Sequence, residues 1–245
     1  KVVVAGLGKL GLPMAAVFAQ SGHEVVGVDP MQPVVDALNE GRVLTDEPGL
    51  PEMIAANSER ISATTNYAEA IPAADITFII VPTPSGDDGA FINDYVVNAL
   101  REIGQVLREN PQPHLVAVTS TVMPGATSAV LAPAFEQALG RSLGDGVALC
   151  YSPEFIALGS VVRDLQNPDF VLIGADDKAA GRRLADFYLG IGGGRDVPVQ
   201  VMNWVNAELA KISVNSFVTM KITYANMLAS ICEGLPGGDV DEVTR

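Results

Sequence analysis

The sequence predicts an α/β fold, a Rossmann-type doubly wound parallel sheet, followed by a long-helix all-α domain. Three observations carry this. Residues 1–19 read as strand, glycine turn and helix. Short apolar runs rich in β-branched residues then recur along the chain, as strands covered on both faces do. Residues 203–232 hold a helical pattern for roughly eight turns.

At 245 residues, with 48% hydrophobic and 18% charged side chains, the chain can bury a sizeable core. A formal charge of −14 excludes nonspecific attraction to nucleic acid or to an anionic membrane, since both need a basic face. An anionic ligand must therefore be held by local N–H groups and a few placed cations. The two cysteines, Cys150 and Cys232, form neither a disulfide framework nor a metal-ligand spacing, so reduced thiols and no metal are expected. The chain has no run of 18 apolar residues, and it opens inside its first strand without a leader pattern. A cytoplasmic protein, trimmed at its N-terminus, is the expectation.

In the first unit Lys1-Val2-Val3-Val4-Ala5 is the strand, Gly6-Leu7-Gly8-Lys9-Leu10-Gly11 the turn, and Leu12-Pro13-Met14 opens the helix. The G-x-G-x-x-G spacing has a mechanical meaning: Gly6 makes the tight turn, Gly8 admits a pyrophosphate to the backbone, and Gly11 lets the helix pack on the strand. The helix start then offers N–H groups and partial positive charge to the phosphates. A close-packed βα corner would need the same small residues. What favours a dinucleotide is Asp29, at the end of the strand Glu24–Asp29 and about 20 residues past the glycines, where a carboxylate accepts from an adenosine ribose. With no Arg at positions 30–33, NAD is preferred over NADP.

Residues 33–40 read as a helix, 41–50 as a loop turning at Glu47-Pro48-Gly49, 51–57 as a short helix and 61–64 as a strand. The buried strand Asp75–Val81 ends in Pro82-Thr83-Pro84, which no helix or central strand continues. In a doubly wound sheet such a loop lies at the carboxyl edge, where ligands bind. Residues 94–108 form an amphipathic helix, with Val96, Val97, Leu100, Ile103 and Leu107 on one side. The strand Leu115–Thr119 delivers Ser120 and Thr121 to the same edge, where a hydroxyl either meets the cofactor or caps the following helix. The strand Val147–Tyr151 delivers Ser152-Pro153-Glu154-Phe155; Glu154 is either a general base or an exposed loop carboxylate. A strand at 170–174 and a peripheral helix at 178–189 follow. A break at Gly190 to Gly194, with Pro198 beyond it, divides the chain into a cofactor domain, 1–197, and a helical domain, 198–245.

Apolar residues cover nearly the whole circumference of the last helix, which therefore reads as buried in a larger assembly, at a subunit interface. A polar stripe runs through it: Glu208, Lys211 and Asn215, at i, i+3 and i+7. Lys211 and Asn215, one turn apart, can donate to one developing oxyanion. A solvated Glu208–Lys211 ion pair is the alternative.

Together these segments resemble the UDP-glucose/GDP-mannose (nucleotide-sugar) 6-dehydrogenases. The likeness rests on Gly6–Pro13, Val81-Pro82-Thr83-Pro84, Ser120-Thr121-Val122, Ser152–Phe155 and Ala207–Lys211 with Asn215, and covers essentially the whole chain. It implies oxidation of a sugar C6 hydroxyl to a carboxylate in two NAD-dependent hydride transfers, with a thiohemiacetal and a thioester on a cysteine. Carried over, it puts the cofactor on Gly6, Gly8, Lys9, Leu10, Gly11, Asp29, Val81, Pro82, Thr83 and Thr121. Lys211 and Asn215 would stabilise the C6 oxyanion, Thr121 and Glu154 would position water and move protons, and Phe155, Ile156, Ala157 and Leu158 would line the substrate.

Four positions depart from the family pattern: Lys9 replaces an aromatic, Val34 a basic residue, Leu158 a second glutamate and Phe170 an arginine. The nucleophilic cysteine of the family lies in a glycine-rich motif beyond the long helix, followed by a nucleotide-binding domain, and the sequence stops at Arg245 before both. The resemblance thus implies that this stretch binds NAD and dimerises without completing the oxidation. Two other readings remain: a two-electron β-hydroxyacid dehydrogenase, which has a glycine-rich loop where this chain has Ser120–Pro124, and a non-catalytic NAD-binding module.

Overall fold

The computed structural model describes residues 1–110, 112–191 and 197–245. The chain falls into two compact units, Lys1–Glu208 and Leu209–Arg245.

The strands of the first unit are β1 (Val2–Ala5), β2 (Val25–Val28), β3 (Ile61–Thr64), β4 (Ile76–Ile79), β5 (His114–Val118), β6 (Val147–Tyr151), β7 (Val171–Ala175) and β8 (Val199–Met202). Among the described residues they make one eight-stranded sheet in the order β3-β2-β1-β4-β5-β6-β7-β8. Every residue of β1, β4, β5 and β7 is buried, which is why these strands read as unbroken apolar runs rather than alternating ones. Parallel pairing from β3 through to β6 sends the carboxyl ends of six strands to one edge.

The helices between them are α1 (Gly11–Gln20), α2 (Gln32–Asn39), α3 (Leu50–Ala56), α4 (Tyr67–Ala70), α5 (Asp94–Arg108), α6 (Ala132–Leu139), α7 (Val161–Gln166) and α8 (Lys178–Ile191). In α5 the predicted stripe Val96, Val97, Leu100, Ile103 and Leu107 is buried. A Cβ on Gly104 of α5 would stand 2.7 Å from the Cβ of Ala138, so α5 and α6 meet almost backbone to backbone. Their carboxyl ends are capped reciprocally: Arg108 donates to Ala138 O at 3.0 Å, and Arg141 donates to Leu107 O at 3.1 Å and Arg108 O at 3.2 Å.

The structure departs from the sequence reading in three places. β7 runs antiparallel to β6, with Cys150 opposite Ala175 and Tyr151 opposite Gly174, so the sheet is not wholly parallel. Between β6 and β7, residues 152–170 hold a single short helix, α7, and the chain rejoins the sheet at the edge it left, which makes the pair antiparallel. An eighth strand, β8, pairs parallel with β7. Helix α6 is entered through a π-helical turn, Thr127–Leu131. The break expected at Gly190 to Gly194 falls in part on 192–194, outside the described residues.

The last long helix, α9 (Trp204–Glu233), starts in the first unit and supplies most of the second, which ends with the short helix α10 (Val240–Val243). On α9, Phe217, Met220, Ile222, Tyr224, Met227 and Ile231 are each at least half exposed in the single chain. Among the described residues no helix is long and apolar enough to cross a membrane.

Candidate functional site

The glycine turn between β1 and α1 has the strict geometry that its spacing implies. Gly6 sits at φ +97°, where L side chains are strained, and a Cβ there would lie 2.1 Å from Ile80 O. A Cβ on Gly11 would lie 1.8 Å from Gly6 O, so turn and helix touch through bare backbone. Gly8 differs from both: nothing lies within 4 Å of its would-be Cβ. Its outer face is open backbone at a helix N-terminus, a cradle that fits a pyrophosphate. Lys9 is exposed and Leu10 half-buried beside it.

Asp29, just past the end of β2, accepts from Leu7 N through Oδ2 at 2.9 Å and from Met31 N through Oδ1 at 2.9 Å. Each oxygen keeps lone-pair capacity for ribose hydroxyls. Gly27 in β2 is bare because a Cβ there would lie 2.6 Å from the Leu7 side chain. Strand β2 thus shapes the turn twice, by steric room for Leu7 and by an acceptor for its amide.

The loops after β4 and β5 are laced together by one hydroxyl. Ser120 Oγ accepts from Val81 N at 2.9 Å and donates to Val81 O at 2.7 Å. Val81, Pro82 and Thr83 are thereby held beside Ser120 and Thr121, and Thr121 is half-buried. The helix that follows is capped by a remote group: Glu208, fully buried in the first turn of α9, accepts from Gly125 N at 2.5 Å and Thr127 N at 2.7 Å. Glu208 therefore serves as a carboxylate cap for the π-helical turn, a use the polar-stripe reading did not foresee.

Past β6, Glu154, Phe155 and Ile156 are half-buried, whereas Ala157 and Leu158 are exposed. The first three face Arg163, Asn167 and Phe170 across a cavity of about 510 Å³. Phe155 packs on Phe170 with ring centroids 4.7 Å apart. Glu47, read from sequence as a turn residue, is buried and accepts from Gly159 N at 3.2 Å and Val162 N at 3.1 Å. It pins the far end of the 154–158 segment to the start of α7. Tyr188 of α8 reaches the near end, where its hydroxyl donates to Glu154 Oε1 at 3.3 Å.

The remaining sequence-derived residues belong to the second unit. Lys211 is buried and Asn215 exposed, one turn apart on α9. Cys150 lies inside β6; burial, with Asp177 adding to it, pushes its thiol up to about 12, so it is not a thiolate nucleophile at neutral pH.

Residues 1–191 match the model of the NAD binding domain of the UDP-glucose/GDP-mannose dehydrogenase family, and residues 205–245 match that of its central domain. The chain belongs to this family. A UDP-glucose 6-dehydrogenase of Haloferax volcanii is 37% identical over 94% of the chain and 54% of its own length. A GDP-mannose 6-dehydrogenase of Azotobacter vinelandii is 34% identical over 99% of the chain and 56% of its own length. Among solved structures, a ternary complex of GDP-mannose dehydrogenase from Pseudomonas aeruginosa superposes with TM-score 0.94 at 32% identity, covering 99% of the chain and 55% of the other. A UDP-glucose dehydrogenase from Pyrobaculum islandicum gives TM-score 0.89 at 38% identity, with 99% and 55% covered. The chain spans about half the length of the curated relatives it matches.

Within this dehydrogenase family, two of the departures now have a place. Val34 packs against the hydrophobic core, and Phe170 is the aromatic partner of Phe155. Sequence reasoning missed Glu47, Tyr188 and the capping role of Glu208. For Glu47 a faint signal existed, a carboxylate beside Pro-Gly in a loop of the cofactor domain. No periodicity or spacing singles out Tyr188.

Proposed function

We propose that the protein carrying these residues oxidises the C6 hydroxyl of a nucleotide-diphosphate sugar to the uronic acid in two NAD-dependent steps. The observation that carries this is the convergence, in a chain of this family, of the Gly8 cradle, Asp29, the Val81–Thr83 loop, Thr121 and Glu154 at one carboxyl edge. NAD, when bound, supplies the hydride acceptor. In the chain itself, the backbone of Gly6 to Gly11 holds the pyrophosphate and Asp29 the adenosine ribose, and Val81, Pro82, Thr83 and Thr121 flank the cofactor.

Glu154 and Thr121 position water and move protons, Lys211 and Asn215 donate to the C6 oxyanion, and Phe155, Ile156, Ala157 and Leu158 line the sugar. The exposed apolar side chains of α9 support a homodimer built on residues 203–232. Two free thiols fit a cytoplasmic setting.

The test combines calorimetric titration of the chain with NAD and NADP and steady-state turnover of the full-length protein with UDP-glucose and GDP-mannose. The expected result is micromolar to millimolar NAD binding, weaker NADP binding, and uronate formation from one of the two sugars. Lys211→Ala then lowers kcat by about 10²–10³-fold at nearly unchanged NAD affinity, as loss of an oxyanion donor does. Turnover that survives Lys211→Ala removes the oxyanion role, and absence of NAD binding removes the cofactor assignment.

A further inference from the structure

We infer that Tyr188 is a positioning residue for Glu154, donating a phenolic hydrogen bond to its carboxylate and keeping it ionised as a proton acceptor. The inference rests on the proton-transfer role proposed above for Glu154.

Three oxygens from two segments of the chain, the stretch after β6 and helix α8, form a directed line. Ser152 Oγ donates to Tyr188 Oη at 3.0 Å, and Tyr188 Oη donates onward to Glu154 Oε1 at 3.3 Å. The direction is set by chemistry: an ionised carboxylate only accepts, so the phenol must donate to it, and the phenolic oxygen is then free to accept from the serine. Ser152 is almost fully buried, which fixes the upstream donor.

The ring of Tyr188 is fixed as well. It stands edge-on to Phe78 of β4 at 6.0 Å between centroids and to Phe187 at 5.9 Å, and those two rings pack on each other at 5.3 Å. A phenol whose ring cannot swing presents its hydroxyl at one point, and that point lies beside Glu154.

Burial, followed by the Glu154 charge, holds the Tyr188 phenol well above its ordinary range, so it remains a donor throughout the working pH range. Among the described residues, other ionisable groups lie near the pair. Cys150 of β6 lies near the phenol. Arg163 and Asp164 of α7, and Asp169 before β7, line the same cavity as Glu154. A donated hydrogen bond favours the charged form of the acceptor, so removing the phenolic O–H must make Glu154 easier to protonate.

The experiment follows the side-chain carboxyl carbon of Glu154 by ¹³C NMR during a pH titration of this chain, in the wild type, in Tyr188→Phe and in Ser152→Ala. Phenylalanine keeps the aromatic cluster, and the melting temperature of each variant is recorded. The expected result is a Glu154 midpoint displaced to higher pH in Tyr188→Phe, with a smaller displacement of the same sign in Ser152→Ala. In the full-length enzyme the acidic limb of the kcat/KM profile of Tyr188→Phe moves in the same direction.

An unmoved midpoint in a Tyr188→Phe variant that keeps its melting temperature overturns the inference. If that variant does not fold, an unmoved midpoint in Ser152→Ala does so instead. The role of Glu154 is judged separately: an acidic limb that survives Glu154→Gln removes the proton-transfer reading, whereas the carboxyl titration is read without turnover.

Discussion

Asp29 and Leu7 are joined by a 2.9 Å hydrogen bond from the Leu7 amide to the Asp29 carboxylate, tying the position proposed for the ribose to the glycine turn. Asp29→Ala therefore removes two things at once, an acceptor for the cofactor and a brace for the turn. NAD affinity is expected to fall by about 1.5–3 kcal/mol, the worth of a hydrogen bond to a charged group, and the preference over NADP to narrow. Calorimetry with both cofactors measures this, and unchanged affinities for both would exclude Asp29 from the ribose site.

The glycines of the turn separate folding from binding. Gly11→Ala forces a Cβ into Gly6 O and should lower stability by about 3 kcal/mol or more. Gly8→Ala meets open space and should change stability by less than about 0.5 kcal/mol while weakening NAD binding, because its methyl group occupies the phosphate cradle. Denaturant unfolding and NAD titration of the two variants, side by side, test the division.

Glu208 holds two amides that the rest of the fold leaves to it, Gly125 N and Thr127 N. Glu208→Ala strands both in a buried setting and should cost about 3 kcal/mol; Glu208→Gln keeps one acceptor oxygen and should cost less. Loss of less than about 0.5 kcal/mol in the alanine variant would show that the cap is dispensable.

His114 gives the fold an acid-sensitive point far from the carboxyl edge. It is almost fully buried, its ring bonded to Thr77 Oγ1 at 2.8 Å and to Ala74 O at 2.9 Å. Burial first, with the Arg183 charge, outweighs the Ala74 bond and lowers its pKa from 6.5 to about 4. Between those values the unfolded chain binds a proton that the folded chain refuses. The stability tied to neutral His114 is thus complete above pH 6.5 and is lost toward pH 4, at up to about 1.4 kcal/mol per pH unit. Unfolding free energies from pH 4 to 7 should show this slope, and His114→Gln should flatten it.

Most of the architecture was legible because buried parallel strands leave unbroken apolar runs: β1, β4 and β5 announce themselves, as does the α5 stripe. The glycine turn was legible because backbone geometry admits no side chain at Gly6 and Gly11, which a sequence records as residue type and spacing. What escaped depends on where remote segments meet. Glu47 looks like a turn residue until Gly159 and Val162 are placed over it, and Glu208 looks like part of a catalytic stripe until the chain from Gly125 to Thr127 is brought to it. Tyr188 sits in a helix whose pattern says only that one side is buried. The reversal of β7 was hidden too, since a buried strand reads the same in either direction.

That reversal has a consequence of another kind. Because β7 runs back beside β6, residues 152–170 leave and rejoin the sheet at the same edge, which is how Phe170 comes to face Phe155. Both ends of the segment are therefore held, by the strand pair and by Glu47, while Ala157 and Leu158 in its middle stand in solvent, a loop anchored like a handle on the sheet.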